Sequence, residues 1–239
     1  MAYLKAANVS KRFGGLTAVN DVDFEVERGE IMGLIGPNGA GKTTLFNLIS
    51  GAILLDSGII ELDGVKISGK KPHTICRQGV GRTFQTAKNF PGMSVTENVM
   101  MGALFGKPGA SRDQAKIEVE EILSFVGLDD LKNKNVPDLT LTGQKRLEVA
   151  RALATKPSIL LLDETMAGLN PTEVEEAMNL VGRIRAKGIT IIMIEHVMRA
   201  IMTICDRIIV LHHGSRIALG TPDEIAASDA VIEVYLGKS

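Results

Sequence analysis

The stretch Gly36-Pro37-Asn38-Gly39-Ala40-Gly41-Lys42-Thr43-Thr44 decides the fold of this chain of 239 residues. It matches the pattern G-x-x-x-x-G-K-[ST], and its surroundings predict a short buried strand over residues 30–35 and a helix over 42–50. In that setting, backbone N–H groups and the helix N-terminus form a cradle for phosphate. We expect Lys42 to reach the β- and γ-phosphates and the Thr43 hydroxyl to ligate Mg²⁺. The alternative is a glycine-rich turn with a structural role only.

Two carboxylates lie at the end of a second apolar run, Ser158-Ile159-Leu160-Leu161-Leu162-Asp163-Glu164. Ligands of α/β proteins gather outside the carboxyl ends of the sheet strands. At such a place, Asp163 can hold Mg²⁺ through water, and Glu164 can polarise the attacking water. An acidic helix N-cap after a strand would produce the same pattern without this chemistry.

The composition excludes several classes of protein. Hydrophobic residues make up 45% and charged residues 23%, with a formal net charge of −1 at pH 7, so we expect a globular protein with no nucleic-acid partner. Cys76 and Cys205 are far apart and lack metal-ligand spacing, which predicts a reducing compartment, no zinc site and no disulfide partner. The longest apolar runs fall far below the roughly 18 residues of a membrane span, and the N-terminal segment lacks a secretory apolar core. We therefore expect a soluble, cytosolic protein.

The order of predicted elements indicates an interrupted α/β core. Short β-like stretches over 4–9 and 22–26 flank a turn-like segment, 11–15, and a hairpin over 57–67 turns at Asp63-Gly64. Helical periodicity then appears over 94–105 and 113–126, and strands return over 159–162, 189–194 and 207–211, with helices after Pro171 and Glu195. The tandem His212 and His213 are expected to form a turn. We predict an α/β core over 1–87 and 156–239, with an antiparallel edge, and a helical lobe over 88–155.

Taken together, these motifs resemble the nucleotide-binding cassette of an ABC transporter over essentially the whole chain. The resemblance implies a P-loop NTPase, RecA-like core with an antiparallel β subdomain and an inserted α-helical subdomain. It also implies that Gln85, in Arg-Thr-Phe-Gln-Thr, begins the insertion and senses the γ-phosphate with its Mg²⁺ and the transmembrane partner. By the same resemblance, His196 contacts the γ-phosphate, Phe13 stacks on adenine, and the segment 167–170 crosses a head-to-tail cassette dimer.

Each of these residues has a simpler interpretation. His196 can be an ordinary histidine at a helix start, Phe13 a surface aromatic over a hairpin, and Gln85 a solvated loop residue. The resemblance is what favours the functional roles.

Within the family, the chain resembles one type of importer subunit most closely. The stretches 81–102, 167–171 and 231–237 are similar to the first of the two ATP-binding subunits of branched-chain amino-acid importers. That implies ATP and Mg²⁺ as ligands, permease subunits and a second, identical or different, cassette as partners. It also implies a position on the inner face of the cell membrane through the permease. The segment containing Phe90, Met93, Met100, Met101 and Phe105 is expected to face the permease, with ordinary helix core as the alternative.

The family's signature, Leu-Ser-Gly-Gly-Gln, is altered in this chain. Alignment on the Ala-Arg-Ala-Leu run at 150–153 places it over Leu139, Thr140, Leu141, Thr142 and Gly143. A register one residue later, pairing Gly143-Gln144 with Gly-Gln, requires an insertion or deletion. Since backbone approach to phosphate at a helix start favours glycine, we expect Leu141 and Thr142 to loosen that contact.

Two rival functions remain at this level. A soluble ABC-type ATPase acting on nucleic acid or the ribosome would usually carry coiled-coil insertions or tandem cassettes, which this sequence lacks. An ATP-binding clamp with poor turnover is favoured by the altered signature and opposed by Glu164 and His196.

Overall fold

The computed structural model describes residues 2–84, 89–106, 109 and 111–236. The strands are β1 Leu4–Phe13, β2 Leu16–Val26, β3 Ile31–Ile35, β4 Ser57–Leu62, β5 Val65–Lys66, β6 Val80–Arg82, β7 Ile159–Asp163, β8 Thr190–Ile194, β9 Arg207–His212 and β10 Ser215–Gly220. The α-helices are α1 Lys42–Ile49, α2 Pro72–Arg77, α3 Val95–Gly106, α4 Arg112–Val126, α5 Leu141–Ala154, α6 Pro171–Ala186, α7 Met198–Ile204, α8 Pro222–Ala226 and α9 Asp229–Leu236. Short 3₁₀ turns cover Asp129–Leu131 and Val136–Asp138.

The central sheet positions the functional motifs. Its strand order is β10-β9-β3-β8-β7-β6, with parallel pairing from β9 to β6 and antiparallel pairing of β10 on β9. The neighbours β3, β8 and β7 therefore end at the same edge, where Leu34 and Asp163 both lie opposite Ile194. This is the parallel α/β architecture that the sequence predicts, and the fold expectation is confirmed.

Two hydrophobic cores cover the faces of this sheet. In β7, Leu160 and Leu162 point into the core shared with the helices α3 to α7. Ile159 and Leu161 point into the opposite core, shared with α1 and the antiparallel sheet. Because strand side chains alternate between faces, a strand buried on both sides reads as a continuous apolar run.

The antiparallel sheet, in the order β2-β1-β4-β5, extends further than expected. The segment 11–15 was predicted as a turn, but Lys11–Phe13 continues β1 and pairs with β2, which leaves only Gly14 and Gly15 to reverse the chain. The prediction of a turn at Asp63-Gly64, between β4 and β5, is confirmed.

The helices α3, α4 and α5 contact one another and form one continuous core with the sheet. They fall within the predicted helical lobe, whose boundaries stay a prediction. Among the described residues, we find no helix with the length and apolar character needed to cross a membrane.

Candidate functional site

The phosphate loop leaves β3 and enters α1 through backbone conformations that require glycine. Gly36 has φ +149°, and a Cβ there would lie 2.2 Å from the carbonyl oxygen of Leu211 in β9. Gly41, with φ +102°, would place a Cβ 2.3 Å from the carbonyl oxygen of Ala18 in β2. The loop therefore rests directly on two neighbouring strands, and its shape is set before any ligand binds.

We predict that Gly36→Ala destabilises the protein by about 2 kcal/mol or more, because the added Cβ must displace backbone. Urea unfolding measures the change. Gly182→Ala is the matched control, since a Cβ at this α6 position meets no heavy atom within 4 Å. Equal stabilities of the two variants would contradict the packing described for the loop.

Lys42 begins α1 and folds back over the loop. Its buried Nζ donates to the carbonyl oxygens of Gly36, at 2.7 Å, and Pro37, at 3.0 Å. Burial lowers the pKa of Lys42, while the nearby carboxylates of Glu164 and Asp163 act in the opposite direction. The ammonium group is thus held at the loop, beside both predicted carboxylates.

A cavity of about 470 Å³ opens over the phosphate loop. Its lining residues are Phe13, Leu16, Thr17, Ala18, Asn38, Gly39, Ala40, Gly41, Lys42, Thr43, Thr44, Glu164 and His213. The structure therefore brings Phe13 and Glu164, which are far apart in sequence, to the same cavity as the loop. Phe13 is 48% exposed, as suits an aromatic surface open to a ligand.

Asp163, at the carboxyl end of β7, is held by hydrogen bonds to residues at the end of the neighbouring strand, β6. Its Oδ2 accepts a hydrogen bond from Arg82 at 3.1 Å, and its backbone N–H donates to the Thr83 hydroxyl at 2.9 Å. Burial raises the pKa of Asp163, and the Arg82 charge opposes that shift. Its Oδ1 is buried and has no hydrogen-bond partner within the described residues, which fits a carboxylate oxygen kept for a cation.

Glu164 has a left-handed backbone conformation, with φ +52°. Its N–H donates to Ile194 O of β8 at 2.9 Å, and its carbonyl accepts from Lys145 of α5 at 2.8 Å. Its Oε1 lies 2.9 Å from Nε2 of His196. Glu164 and His196, each predicted separately as a site residue, are therefore in direct contact, with the carboxylate largely shielded and the imidazole half exposed.

Glu195, between β8 and His196, supports the segment after Glu164. One carboxylate oxygen accepts from Met166 N at 2.8 Å and from the Thr165 hydroxyl at 3.1 Å. Burial raises the pKa of this carboxyl group. The sequence carries no signal for this role of Glu195, because its partners follow β7 and come close only when β7 and β8 lie side by side.

The altered signature segment lies at the start of α5. The Thr140 hydroxyl caps the helix by accepting from Gly143 N, and the Thr142 hydroxyl donates to Glu173 of α6 at 2.6 Å. Leu141 is 47% exposed and contacts the region of Gly168, where a Cβ would lie 3.0 Å from its Cδ2. The segment does not line the cavity over the phosphate loop of its own chain, as far as the described residues go. Its register stays a prediction.

Other predicted residues have different outcomes. Gln85 lies outside the described residues. The prediction of a turn at both tandem histidines is wrong for His212, which ends β9, whereas His213 lies in the turn with φ +46° and also lines the phosphate-loop cavity. Phe90 and Phe105 are exposed, at 39% and 66%, whereas Met100 packs partly against the core.

A second cavity of about 470 Å³, which we call the β6–α3 groove, is lined in part by Arg82, the residue that donates to Asp163. Its lining residues are Ser50, Ala52, Pro72, Cys76, Val80, Gly81, Arg82, Thr83, Phe84, Phe90, Met101, Gly102, Phe105, Glu148, Arg151, Ala152 and Thr155. Most of this lining is apolar, and it includes three of the aromatic and methionine residues that the sequence assigned to a partner surface: Phe90, Met101 and Phe105.

Comparison with known sequences gives matches over nearly all of the chain. A family model described as "ABC transporter" matches residues 19–167, and one described as "Branched-chain amino acid ATP-binding cassette transporter" matches residues 215–239. The high-affinity branched-chain amino acid transport ATP-binding protein BraF of Pseudomonas aeruginosa is 39% identical over 250 residues, covering 99% of this chain and 98% of that protein.

Solved structures agree with the fold. The ADP conformation of an ATP-binding cassette of an ABC transporter superposes with a TM-score of 0.88 at 32% identity, covering 100% of both chains. A dimeric bacterial ABC transporter cassette superposes with a TM-score of 0.84 at 26% identity, covering 92% of this chain and 98% of that one.

Proposed function

This chain belongs to the ABC transporter family as an ATP-binding, ATP-hydrolysing subunit, and we propose that it drives uptake of branched-chain amino acids through a membrane permease. The observation that carries the solute class is the match of residues 215–239 to the branched-chain family model, beside 39% identity to BraF over 99% of the chain. A soluble cassette unrelated to transport is not favoured by this similarity.

Nucleotide binding is assigned to the phosphate loop. The backbone N–H groups of 38–44 surround the phosphates, and Lys42 exchanges its bonds to Gly36 O and Pro37 O for phosphate oxygens. Phe13, at the rim of the same cavity, stacks on adenine. His213 adds a polar side chain to the lining of this cavity, a position that the sequence did not predict.

We assign Mg²⁺ to Asp163, through the Oδ1 that has no partner among the described residues, and to the Thr43 hydroxyl. Gln85 is assigned to the same ion by family resemblance. When bound, the ion neutralises charge on the phosphates. Hydrolysis then depends on the chain's own groups. Glu164 accepts a proton from the attacking water, and His196, held 2.9 Å from Glu164, orients that carboxylate and contacts the γ-phosphate.

The partners are assigned from the family and from two surfaces. The exposed start of α5, with Thr140 and Leu141, faces a second cassette whose nucleotide site it completes, as the likeness to a dimeric cassette supports. The β6–α3 groove receives a cytoplasmic helix of the permease, because its apolar lining suits an amphipathic helix. We propose that the chain works at the inner face of the membrane, where it is attached through the permease.

We expect cysteines introduced at Phe90 and Phe105, both exposed at the groove, to cross-link to a cytoplasmic segment of the permease in the assembled transporter. Val65→Cys, 49% exposed on β5, is the control for exposure alone. Mass spectrometry of the cross-linked peptides identifies the partner. Efficient cross-links from residue 65, with none from 90 or 105, would place the permease elsewhere.

The transport function is tested in proteoliposomes that contain this chain with its permease subunits and second cassette. ATP-dependent uptake of radiolabelled leucine, isoleucine or valine, lost in the Glu164→Gln variant, is the expected result. Uptake of a different class of solute by the same vesicles, with none of these amino acids, would reject the assignment of solute while leaving ATP hydrolysis in place.

A further inference from the structure

Arg82 forms a buried ion pair with the carboxylate assigned to Mg²⁺. It ends β6, the strand beside β7, and its NH2 group donates to Asp163 Oδ2 at 3.1 Å. The two side chains are only 7% and 0% exposed. Burying such a pair has a desolvation cost, which is offset when the geometry is good and the remaining donors of the cation find partners.

The remaining donors of Arg82 satisfy that condition. NH1 donates to Asn47 Oδ1 at 2.7 Å and to Ser50 Oγ at 3.0 Å, and Nε donates to Thr83 O at 3.2 Å. The guanidinium also lies over the rings of Phe84, at 5.0 Å, and Phe46, at 5.8 Å. Arg82 is therefore fixed by the C-terminal end of α1, by the carbonyl of the residue that follows it in the chain, and by two aromatic rings.

This arrangement constrains Asp163 at two points. The Thr83 hydroxyl accepts from its backbone N–H, and Arg82 occupies Oδ2. The rotation of the carboxylate is then limited, and Oδ1 is the oxygen left without a partner among the described residues. Restricting a ligand group before the ion arrives reduces the ordering that binding requires.

We propose that Arg82 is a positioning residue for Asp163, which holds the carboxylate so that Oδ1 stays available to Mg²⁺. This inference rests on the proposed metal role of Asp163. Arg82 can hold Asp163 through its positive charge and through the fixed geometry of its donors, and a lysine at this position separates the two effects. Lysine keeps the charge but cannot donate at the same time to all four partners, Thr83, Asn47, Ser50 and Asp163.

The test is a titration of the isolated chain with a fluorescent ATP analogue at increasing Mg²⁺. Removing an outer partner of a metal ligand lowers metal affinity by roughly 10- to 100-fold, so Arg82→Met should raise the half-saturating Mg²⁺ by that factor. Arg82→Lys should give an intermediate shift. Affinity for the analogue in EDTA should change less than about twofold, since the phosphate loop is intact.

Arg207→Met is the matched control, since Arg207 also pairs with a buried carboxylate, with its Nε 2.7 Å from Glu30 Oε1, and lies at the start of β9, outside both proposed binding surfaces. It should keep the parent's Mg²⁺ requirement. Asn47→Ala, which removes one acceptor of Arg82, serves if Arg82→Met does not fold, and should shift the requirement in the same direction by a smaller factor.

The outcomes separate this inference from the proposed site. The positioning role alone is overturned if Asp163→Asn raises the half-saturating Mg²⁺ concentration but Arg82→Met leaves it unchanged or lowers it. Where Arg82→Met does not fold, the same criterion applies to Asn47→Ala. A parental Mg²⁺ requirement in Asp163→Asn overturns the metal role of Asp163 and the inference with it. An equal shift in Arg207→Met overturns the inference too, because the effect would then follow from the loss of any arginine that pairs with a buried carboxylate.

Discussion

Replacing Glu164 by glutamine is expected to lower ATP turnover by about 100-fold or more while leaving ATP affinity roughly intact. The amide cannot accept the proton of the attacking water, whereas the phosphate loop and Lys42 are unchanged. The contact of Glu164 with His196, at 2.9 Å, is the observation behind this expectation. A steady-state hydrolysis assay and a nucleotide titration on the same preparation measure the two effects separately.

Glu120→Gln is the matched control, because Glu120 is exposed on α4 and the same carboxylate is changed to an amide. It should retain the parent's turnover and affinity. If Glu164→Gln turns over ATP within about threefold of the parent, Glu164 does not activate the water.

Lys42→Ala should fail one step earlier, at nucleotide binding. The variant loses a charge-assisted phosphate contact of about 1.5–3 kcal/mol, which corresponds to roughly a 10- to 150-fold loss of affinity. The reason is local, since Nζ already lies within 3.0 Å of the carbonyl oxygens of Gly36 and Pro37 and needs little movement to reach a ligand.

Titration calorimetry with ATP measures this loss, and Lys66→Ala, exposed on β5, controls for the removal of a positive charge. The thermal transition of each variant shows whether the fold is retained. An unchanged affinity in folded Lys42→Ala would count against the role of the loop in binding phosphate.

The sequence predicted those parts of the fold whose signal is local. The strand before Gly36, the helix from Lys42 and the buried strand before Asp163 are each encoded by a contiguous run, and all three are present. The short elements β6, Val80–Arg82, and α2, Pro72–Arg77, were not predicted. Segments this short carry too few residues for periodicity to distinguish strand from helix.

The candidate site likewise has one part that could be predicted from a local motif and another that depends on contacts between distant residues. The glycines and Lys42 follow from one motif, but the contact of Arg82 with Asp163 joins residues 81 positions apart and exists only because β6 pairs with β7. Lys145 and Glu195 likewise reach the Glu164 segment from other elements. Such contacts depend on strand order, which residue types alone do not specify.

The alternation of β7 side chains between two cores has a consequence for how the protein opens. Leu161 belongs to one core and Leu162 to the other, and β8 is divided in the same manner by Ile192 and Met193. Loss of the helices on one face leaves the opposite face of each strand covered, so the amide hydrogens of β7 and β8 exchange with solvent only when both faces open together. The carboxylates and His196 lie at or just after the carboxyl ends of these two strands, so we expect local fluctuation of the helices to leave their spacing intact.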